Sequence, residues 1–410
     1  MASLEPIKEL SLQEKLSVVD KVIAATNRKF GKTVMGRIGQ SPEIMEKLEI
    51  KFIPSASRTF NEAVGGGFPR SRMSIVTGES DSGKTGLLLE SIAKNMRTNA
   101  SFVSGWLESE HSLEKEYIVK TFGIDPNRFV FIPLDNSIGA EGTLDIIEGL
   151  LPTNTIDMFV INSLRCLIPD KEKEKSITEE TMALQARLNA KLVRRWTALL
   201  GSINTALVLV QHLTTAIGNY GDPKVLAGGE AIRYWSALTV DLRKHSIKDS
   251  DPITKDEGMK IGVTVKKNHC APSKNPYVKF DYYVVYGQGV EEIAPSIQIG
   301  IEKGVLERHG AWLYWMNNGE EVMKFSSKID FRNRMKEDPD LWDRYTKQLD
   351  GKTDKIESLS DDEMAEIEKE QKSEAIVEKE MNEILTQIES EEVEKVPVKT
   401  VKKKGRSKAT

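Results

Sequence analysis

The chain has 410 residues, of which 39 % are hydrophobic and 29 % charged, a composition that is typical of globular proteins and excludes fibrous or fully disordered classes. No run of about 18 apolar residues occurs and the N-terminus carries no apolar signal core, so we expect neither a transmembrane helix nor export. The net charge of −4 conceals an acidic segment at 356–394 and a basic one at 395–410, which together leave the preceding residues close to neutral and indicate no class of partner.

The first predicted element is an amphipathic helix over residues 11–30. Ser11 and Glu14 match a capping box, and Gly31 is placed to end the helix. Apolar residues recur at helical spacing at Leu12, Leu16, Val19, Ile23 and Phe30. The helix is either part of the core of the main domain or an arm that packs on a neighbouring subunit, and the residues alone do not separate the two.

From about residue 50 to 288, strand-like apolar runs alternate with helical stretches. The strand candidates are 73–77, 102–107, 157–163, 206–212, 262–267 and 279–286. The helix candidates are 84–96, 112–122, 143–151 and 177–200. Several strands are continuous apolar runs, as expected for strands covered on both faces. This alternation predicts an α/β domain with a mostly parallel sheet.

The rest of the chain is predicted to form a small module and a tail. Residues 290–350 have the pattern of a separate small α/β domain. Its candidate core residues are Trp312, Trp315 and Trp342. Residues 351–410 are first acidic and then basic, and such charge density favours a mobile tail. The only two cysteines, Cys166 and Cys270, are too few for a disulfide framework and fit a reducing cytoplasm.

The motif with the clearest chemistry is a phosphate-binding loop between a predicted strand and a predicted helix. Its sequence, GESDSGKT, matches G-x-x-x-x-G-K-[ST] without a gap. Loop glycines let backbone amides approach phosphate oxygens, and the N-terminus of the following helix adds a favourable potential for anions. Lys84 is expected to contact the β- and γ-phosphates of ATP, and the Thr85 hydroxyl to hold Mg²⁺. The loop residues expected to bind the nucleotide are Gly78, Glu79, Ser80, Asp81, Ser82, Gly83, Lys84 and Thr85.

Two acidic residues, Glu108 and Glu110, follow the next predicted strand. In open α/β sheets the carboxyl ends of the strands form the ligand crevice. Glu110 is therefore a candidate to polarise a water molecule for attack on the γ-phosphate. The alternative is that both residues belong to a solvated acidic loop.

Several segments together resemble the RecA-type DNA recombinases over residues 12–350. The matching segments are NRKFGKTVMGRIG at 27–39, GGGFPRSRMSIVTGESDSGKT at 65–85, LESEHSLEKEY at 107–117, the region 204–244, KNHCAPSKNPYVKFDYYVVYGQG at 267–289 and LERHGAWLYW at 306–315. The resemblance implies a RecA-like P-loop ATPase core at 49–289 with a mostly parallel sheet, an N-terminal helix-and-strand arm for subunit packing at 1–48, and a small C-terminal α/β domain. It also implies that ATP orders DNA-binding loops, so that many subunits form a helical filament on single-stranded DNA and exchange its strand with a homologous duplex.

The resemblance assigns roles to residues at the nucleotide site. Glu110 corresponds to the glutamate that activates water, and Lys84 to the lysine that binds phosphate. His212 falls where the family has a γ-phosphate sensor, usually Gln, and some phage recombinases resemble this sequence there. The resemblance also places adenine contacts near Glu114 and Tyr117.

The DNA-binding loops are expected near 171–183 and 213–228. In the second loop, apolar side chains would wedge between base triplets and a Gly-Gly pair would let the backbone approach phosphate. These residues are Ile217, Tyr220, Gly228 and Gly229. The predicted helix at 177–200 also carries four basic residues on one face: Arg187, Lys191, Arg194 and Arg195. This face is either merely solvated or a phosphate-contacting stripe, and we take Arg187 and Arg194 as candidate DNA contacts.

Three further positions are read through the resemblance. Lys267 matches a lysine that reaches the nucleotide of the adjacent subunit, whereas His269 stands where the family commonly has a second lysine. Asn162 ends the third strand, where the family has an aspartate in the Mg²⁺ shell. Asn accepts a hydrogen bond but lacks the negative charge that Mg²⁺ prefers. We therefore expect weaker Mg²⁺–ATP binding or slower hydrolysis than in a typical member, and equal ATPase rates of the native chain and Asn162→Asp at limiting Mg²⁺ would contradict this.

Two other functions use the same kind of core. A ring-shaped helicase would form a closed hexamer, and a nucleotide-gated DNA-binding mediator would have weak ATPase activity. The implied partners of a recombinase are single- and double-stranded DNA, further copies of the chain, and single-strand-binding and mediator proteins. The acidic tail is expected to compete with DNA for the basic inner surface, so truncation after Gly351 should speed the uptake of duplex DNA; an unchanged rate would argue against this role.

Overall fold

The computed structural model describes residues 10–135, 137–173, 182–215, 224–226, 230–248, 251–271 and 277–351. The chain divides into two compact units, residues 1–299 and 300–410. Among the described helices, none combines the length and the apolar character needed to cross a membrane.

The described chain begins with helices and continues as alternating strands and helices. The helices are α1 (Leu12–Phe30), α2 (Pro42–Leu48), α3 (Arg58–Val64), α4 (Lys84–Thr98), α5 (Gly139–Leu150), α6 (Asp170–Lys173), α7 (Met182–Leu200), α8 (Glu230–Trp235), α9 (Ile293–Glu302), α10 (Lys328–Glu337) and α11 (Pro339–Leu349). The strands are β1 (Phe52–Ile53), β2 (Phe68–Pro69), β3 (Arg72–Gly78), β4 (Ser104–Glu108), β5 (Phe129–Pro133), β6 (Met158–Asn162), β7 (Ala206–Thr215), β8 (Lys224–Leu226), β9 (Leu238–His245), β10 (Gly258–Asn268), β11 (Lys279–Val285), β12 (Gly289–Glu291), β13 (Leu306–His309), β14 (Trp312–Asn317) and β15 (Glu320–Phe325).

The first unit is built on one large sheet in the order β12-β11-β10-β9-β3-β7-β6-β4-β5, with β8 paired to β7. The strands from β9 to β5 run parallel to one another, whereas β10, β11 and β12 add in antiparallel pairs at one side. The predicted α/β class with a mostly parallel sheet is therefore confirmed. Parallel strands need crossover helices, and these cover both faces of the sheet.

Alternate residues of β7 show how both faces are buried. Val208 and Val210 belong to the hydrophobic cluster that contains the apolar residues of α4. Leu207 and Leu209 belong to the opposite cluster, which contains Trp196 of α7. Because successive side chains of a strand point to opposite faces, a strand between two helical layers is apolar at every position. This explains the continuous apolar runs that mark the central strands in the sequence.

The N-terminal helix has the predicted boundaries and caps. Ser11 Oγ accepts from the backbone N–H of Glu14 while the Glu14 carboxylate accepts from the backbone N–H of Ser11, and Gly31 ends α1 in the left-handed conformation. No residue of α1 is buried. Its interpretation as a core helix of the main domain is therefore wrong for the single chain, because a core helix would bury its apolar face.

Some elements differ from the sequence prediction. The helix expected at 112–122 forms over residues 115–122, and its central part, Tyr117–Thr121, is π-helical. The central strand β9 was not among the predicted strands, because Asp241 and the polar residues from Arg243 onward interrupt its apolar pattern. β5 was not predicted, although its sequence, FVFIP, is a continuous apolar run; it is an edge strand of the large sheet and leaves Val130 and Phe131 exposed. Of the helix expected at 177–200, residues 182–200 form α7 and 177–181 lie outside the described residues.

In the second unit, β13, β14 and β15 form an antiparallel sheet that is accompanied by α10 and α11. Trp315 is fully buried, donates its indole N–H to Gln348 and packs edge-on against Tyr345. Trp312 is 44 % exposed, so its assignment to the core is wrong. The two tryptophans differ in position: Trp312 is the exposed first residue of β14, where the Lys324 ammonium lies over its ring, whereas Trp315 lies inside the strand.

Candidate nucleotide-binding site

The carboxyl ends of four parallel strands bring the predicted site residues to one edge of the sheet. Gly78 at the end of β3 is level with His212 on β7. Glu108 at the end of β4 is level with Asn162 at the end of β6. This edge is where open α/β sheets hold their ligands, because the loops that follow the strands converge there.

The phosphate-binding loop connects β3 to α4 with the conformation that its sequence predicts. Gly83 is the N-cap of α4 and has a left-handed backbone with φ 83°. A Cβ on Gly78 would lie 2.4 Å from the carbonyl oxygen of Leu242 and 2.4 Å from Ser82 Oγ, so only glycine fits there. Ser82 Oγ donates to the carbonyl oxygen of Glu79 and closes the loop. The result is a backbone cradle at a helix N-terminus, the arrangement that binds phosphate.

The Lys84 side chain is buried beneath this loop. Its ammonium donates to the carbonyl oxygens of Glu79 at 2.6 Å and Gly78 at 3.2 Å. Burial lowers the pKa of Lys84, while the nearby carboxylates of Glu110, Asp81 and Asp241 act in the opposite direction. A cation held in a desolvated position gains from an anion that replaces its lost hydration, so phosphate is a suitable ligand here.

Glu110 and His212, predicted separately as water-activating residue and phosphate sensor, are in direct contact. Glu110 Oε1 lies 2.7 Å from His212 Nε2. The same oxygen accepts a 2.7 Å hydrogen bond from Ser163 Oγ. Both side chains of the pair are about three-quarters buried, and Glu110 is also an electrostatic neighbour of Lys84. These contacts bring the three predicted catalytic residues, Lys84, Glu110 and His212, into one cluster.

Glu108 occupies a different environment from the solvated acidic loop that was the alternative for this segment. Its side chain is 2 % exposed, and its Oε2 accepts from Asn162 Nδ2 at 3.0 Å and from the Trp106 indole N–H at 3.0 Å. Its Oε1 accepts from the backbone N–H of Glu110 at 2.9 Å. Glu108 therefore links the ends of β4 and β6 and holds the backbone at Glu110.

The site residues fit a magnesium-bound nucleoside triphosphate. Asn162 is 1 % exposed, and its Oδ1 has no hydrogen-bond partner in the structure. Together with the Thr85 hydroxyl at the first turn of α4, this oxygen offers neutral ligands to a cation or to its waters. No cluster of three or more His, Cys, Asp or Glu residues that could hold a metal occurs in the described ranges. Mg²⁺ bound through one or two protein oxygens and the substrate's phosphates needs no such cluster.

Two candidate adenine contacts lie on the segment after Glu110 and outside the cluster. Glu114 is exposed. Tyr117 is 45 % exposed, and its ring packs edge-on against Phe122 at 5.1 Å. An exposed aromatic side chain beside the strand ends is available to stack on a base, and this role stays a prediction.

Lys267 lies away from the phosphate-binding loop of its own chain. In the sheet, Lys267 of β10 is paired with Thr239 of β9, which is level with Ile75 of β3. Ile75 precedes Gly78 by three residues, a distance of about 10 Å along the strand. Its ammonium donates to the carbonyl oxygens of Tyr234 at 2.7 Å and Arg233 at 3.1 Å. Burial and, secondly, the Arg233 guanidinium lower the pKa of Lys267.

The candidate DNA-binding residues are described only in part. Arg187 and Arg194 are exposed on α7, as is Lys191 between them. Arg195 is also exposed, but its guanidinium is paired with Glu148 of α5 at 2.6 Å. Outside the described residues lie Ile217, Tyr220, Gly228 and Gly229.

Two serines that directly follow the strands, Ser109 and Ser163, are part of the site although their sequence context did not predict it. Ser109 Oγ donates to the carbonyl oxygens of Ser163 at 2.8 Å and Asn162 at 3.0 Å, and it accepts from the backbone N–H of Ser163. Ser163 in turn bonds Glu110. Their position directly after predicted strands β4 and β6 was the available signal, since such residues converge at the ligand edge.

Comparison with known proteins agrees with this geometry. Residues 17–291 match the model of the RecA N-terminal domain family. The chain is 30 % identical to Protein RecA of Streptomyces rimosus over 334 residues, which cover 81 % of this chain and 84 % of that protein. It is 29 % identical to Protein RecA of Syntrophus aciditrophicus over 339 residues, covering 82 % and 93 %. The phosphate-binding loop, the Glu110–His212 cluster and these matches together show that the chain belongs to the RecA family of DNA recombinases.

Proposed function

We propose that this protein is an ATP-dependent recombinase that forms helical filaments on single-stranded DNA and catalyses homologous pairing and strand exchange in recombination and repair. It hydrolyses ATP to ADP and phosphate at the 78–85 loop with Mg²⁺ as cofactor, and it acts where DNA is found, in the cytoplasm of a bacterium or of a phage-infected host. Specificity for sequence comes from base pairing with the incoming duplex.

The observation that carries the proposal is the position of the Glu110–His212 pair. His212 belongs to β7, which continues through Thr215 toward the second predicted DNA loop at 213–228. Beyond that loop, Leu226 of β8 pairs back on Leu213. A change in the hydrogen bonds of His212 is therefore transmitted along a strand whose continuation is the predicted DNA-binding segment. Such coupling of a γ-phosphate to a loop is an order–disorder switch.

The chemistry assigned to the chain's residues follows from their contacts. Mg²⁺ supplies charge neutralisation on the β- and γ-phosphates when it is bound. Lys84 and the loop amides bind those phosphates, and Glu110, held by Ser163 and His212, accepts a hydrogen bond from the attacking water and orients it. The Thr85 hydroxyl and the Asn162 amide oxygen would hold the cation or its waters.

Two exposed surfaces support assembly from many copies. The arm, residues 10–48, has apolar side chains that no other part of the described chain covers: Leu12, Val18, Val19, Val22, Phe30, Val34, Met35, Ile38, Met45 and Leu48. At one edge of the large sheet, β5 has no strand partner on its outer side among the described residues, and it exposes Val130 and Phe131. An apolar arm and an open edge at different places on the molecule make a head-to-tail contact, which propagates as an open helix.

The position of Lys267 supports the same assembly. Lys267 is level with the middle of β3, about 10 Å from Gly78, and its ammonium contacts carbonyl oxygens at the end of α8. This position is compatible with a contact to a phosphate that another copy of the chain holds. Such a contact would compete with the Tyr234 and Arg233 carbonyls that Lys267 now contacts at the end of α8.

Electron microscopy with single-stranded DNA tests the proposal directly. With ATP or a slowly hydrolysed analogue we expect helical filaments, and with ADP or no nucleotide we expect none. Closed rings would support the helicase alternative instead. Equal binding of single-stranded DNA in all three nucleotide states would contradict the coupling.

A strand-exchange assay tests the activity itself. The protein should convert a homologous linear duplex and a circular single strand into exchanged products, and it should fail with a heterologous duplex. Lys84→Ala serves as the control, since it removes the phosphate-binding ammonium. Filaments without strand exchange and with negligible ATPase would favour the mediator alternative, to which the neutral Asn162 is suited.

A further inference from the structure

Glu108 is a buried carboxylate whose hydrogen-bond donors, within the described residues, are all neutral. Oε2 accepts from the Trp106 indole and the Asn162 amide, and Oε1 accepts from the backbone N–H of Glu110 and, at 3.3 Å, from Ser112 Oγ. The side chain is 2 % exposed. A buried carboxylate with only neutral donors keeps an uncompensated negative field around it, which favours a cation nearby.

This contact determines the orientation of the Asn162 amide. An ionised carboxylate is only an acceptor, so the amide must turn its NH₂ group toward Glu108. The Asn162 Oδ1 atom is then the free end of the amide, and it is buried without a hydrogen-bond partner. An unpaired buried acceptor is costly, and such an atom is typical of a position that a ligand completes.

We propose that Glu108 is a positioning residue of the magnesium site: it holds Asn162 with Oδ1 free for the cation or its waters, and it supplies from behind the negative charge that the amide lacks. The inference rests on the proposed nucleotide-binding function. Glu108 also holds the backbone N–H of Glu110, so one carboxylate positions both the cation ligand and the water-orienting residue. Partners of this kind tune a metal site without touching the metal.

The hydrogen bond between Glu108 and Asn162 reverses the expectation that an aspartate at position 162 would strengthen Mg²⁺ binding. With an aspartate at position 162, its carboxylate and that of Glu108 would lie about as close as the present 3.0 Å contact. The hydrogen bond that the Asn162 amide now donates to Glu108 would be absent. Repulsion between the two carboxylates in a buried setting displaces the side chains or weakens the carboxylate that should face the cation. Asn162→Asp is therefore expected to weaken Mg²⁺-dependent nucleotide binding although it adds a negative charge.

The test measures binding of a fluorescent, slowly hydrolysed ATP analogue at a fixed concentration across a series of free Mg²⁺ concentrations. We expect the half-saturating Mg²⁺ concentration to rise at least threefold in Asn162→Asp and about tenfold in Glu108→Gln. In the double variant, one carboxylate and one amide again face each other with their positions exchanged. We expect it to need less Mg²⁺ than either single variant.

Glu148→Gln is the matched control, because Glu148 on α5 also accepts from an indole N–H, that of Trp196, and it lies on no strand end. It should leave the half-saturating Mg²⁺ concentration within twofold of the native value. Circular dichroism shows whether Glu108→Gln folds. If it does not fold, Asn162→Asp still tests the proposal, because Glu108 is intact in that variant. An unchanged or lower Mg²⁺ requirement of Asn162→Asp overturns the proposal. A double variant no better than Asn162→Asp alone also overturns it.

The outcome separates this inference from the proposed function. If the native chain fails to bind the analogue, or binds it as well after Lys84→Ala, then the nucleotide-binding function itself fails. If the native chain binds the analogue with Mg²⁺ dependence while the Asn162 and Glu108 variants behave like Glu148→Gln, only the positioning role of Glu108 is lost.

Discussion

The Glu110 carboxylate and the His212 imidazole share a 2.7 Å hydrogen bond, which joins the residue proposed to orient water to the strand that leads into the second predicted DNA loop. A phosphate oxygen beside His212 would compete with Glu110 for the ring N–H. The same event would then release a Glu110 oxygen for water and shift the end of β7. Under the proposed function, this one contact would link nucleotide sensing to hydrolysis.

Replacing Glu110 with glutamine should separate binding from turnover. The amide still reaches His212 and Ser163, but it is a much weaker proton acceptor for water. We expect the DNA-dependent ATPase rate to fall by about 10²- to 10⁴-fold, while binding of single-stranded DNA with ATP is retained. Phosphate release and DNA anisotropy measure the two quantities, and unchanged turnover would remove Glu110 from this role.

Replacement of His212 tests the coupling between nucleotide and DNA. His212→Leu has no hydrogen-bond donor, so the ratio of DNA affinity with ATP to that with ADP should collapse toward one. His212→Gln keeps a donor and should preserve most of that ratio. Nucleotide binding itself should change little in both variants because Lys84 and the loop amides remain. A preserved ratio in His212→Leu would show that the signal takes another route.

The basic face of α7 offers a matched set of substitutions. Arg187 and Arg194 are exposed, whereas the Arg195 guanidinium is already paired with Glu148. If both exposed arginines contact phosphate, their joint replacement by alanine should reduce the slope of log affinity against log salt by about 1.4 for single-stranded DNA. Arg195→Ala should leave that slope nearly unchanged. Equal effects of all three would indicate a diffuse field rather than specific contacts.

The two cysteines should react with iodoacetamide at different rates. Burial raises the pKa of the Cys270 thiol to about 11, and Cys166 is partly exposed. Since only the thiolate reacts, alkylation of Cys270 should be slow at pH 8 and should rise about tenfold per pH unit up to pH 10 without levelling off. Mass spectrometry of the native chain and of Cys270→Ser resolves the two sites. A plateau below pH 9 would contradict the protected thiol.

Much of the fold could be predicted because its signals are local. The phosphate-binding loop is a contiguous motif, and its glycines are required by the backbone at Gly78 and Gly83. Both caps of α1 are likewise encoded within a few residues. The continuous apolar runs identified most of the central strands, since burial on two faces leaves no polar positions. The central strand β9 was missed because Asp241 and the polar residues from Arg243 onward interrupt its apolar pattern. β5 was missed although its sequence, FVFIP, is itself an apolar run.

Some features of the candidate site could be predicted from the sequence, and others are visible only in the tertiary structure. The residue types, their order along the chain and the family resemblance predicted a triphosphate site at the 78–85 loop and roles for Glu110 and His212 in it. Only the tertiary structure decided that these two side chains touch, that Ser163 shares the same oxygen, and that Glu108 is buried against Asn162. The physical reason is that strand order and register bring residues 50 to 100 positions apart into contact, and no local pattern carries that information.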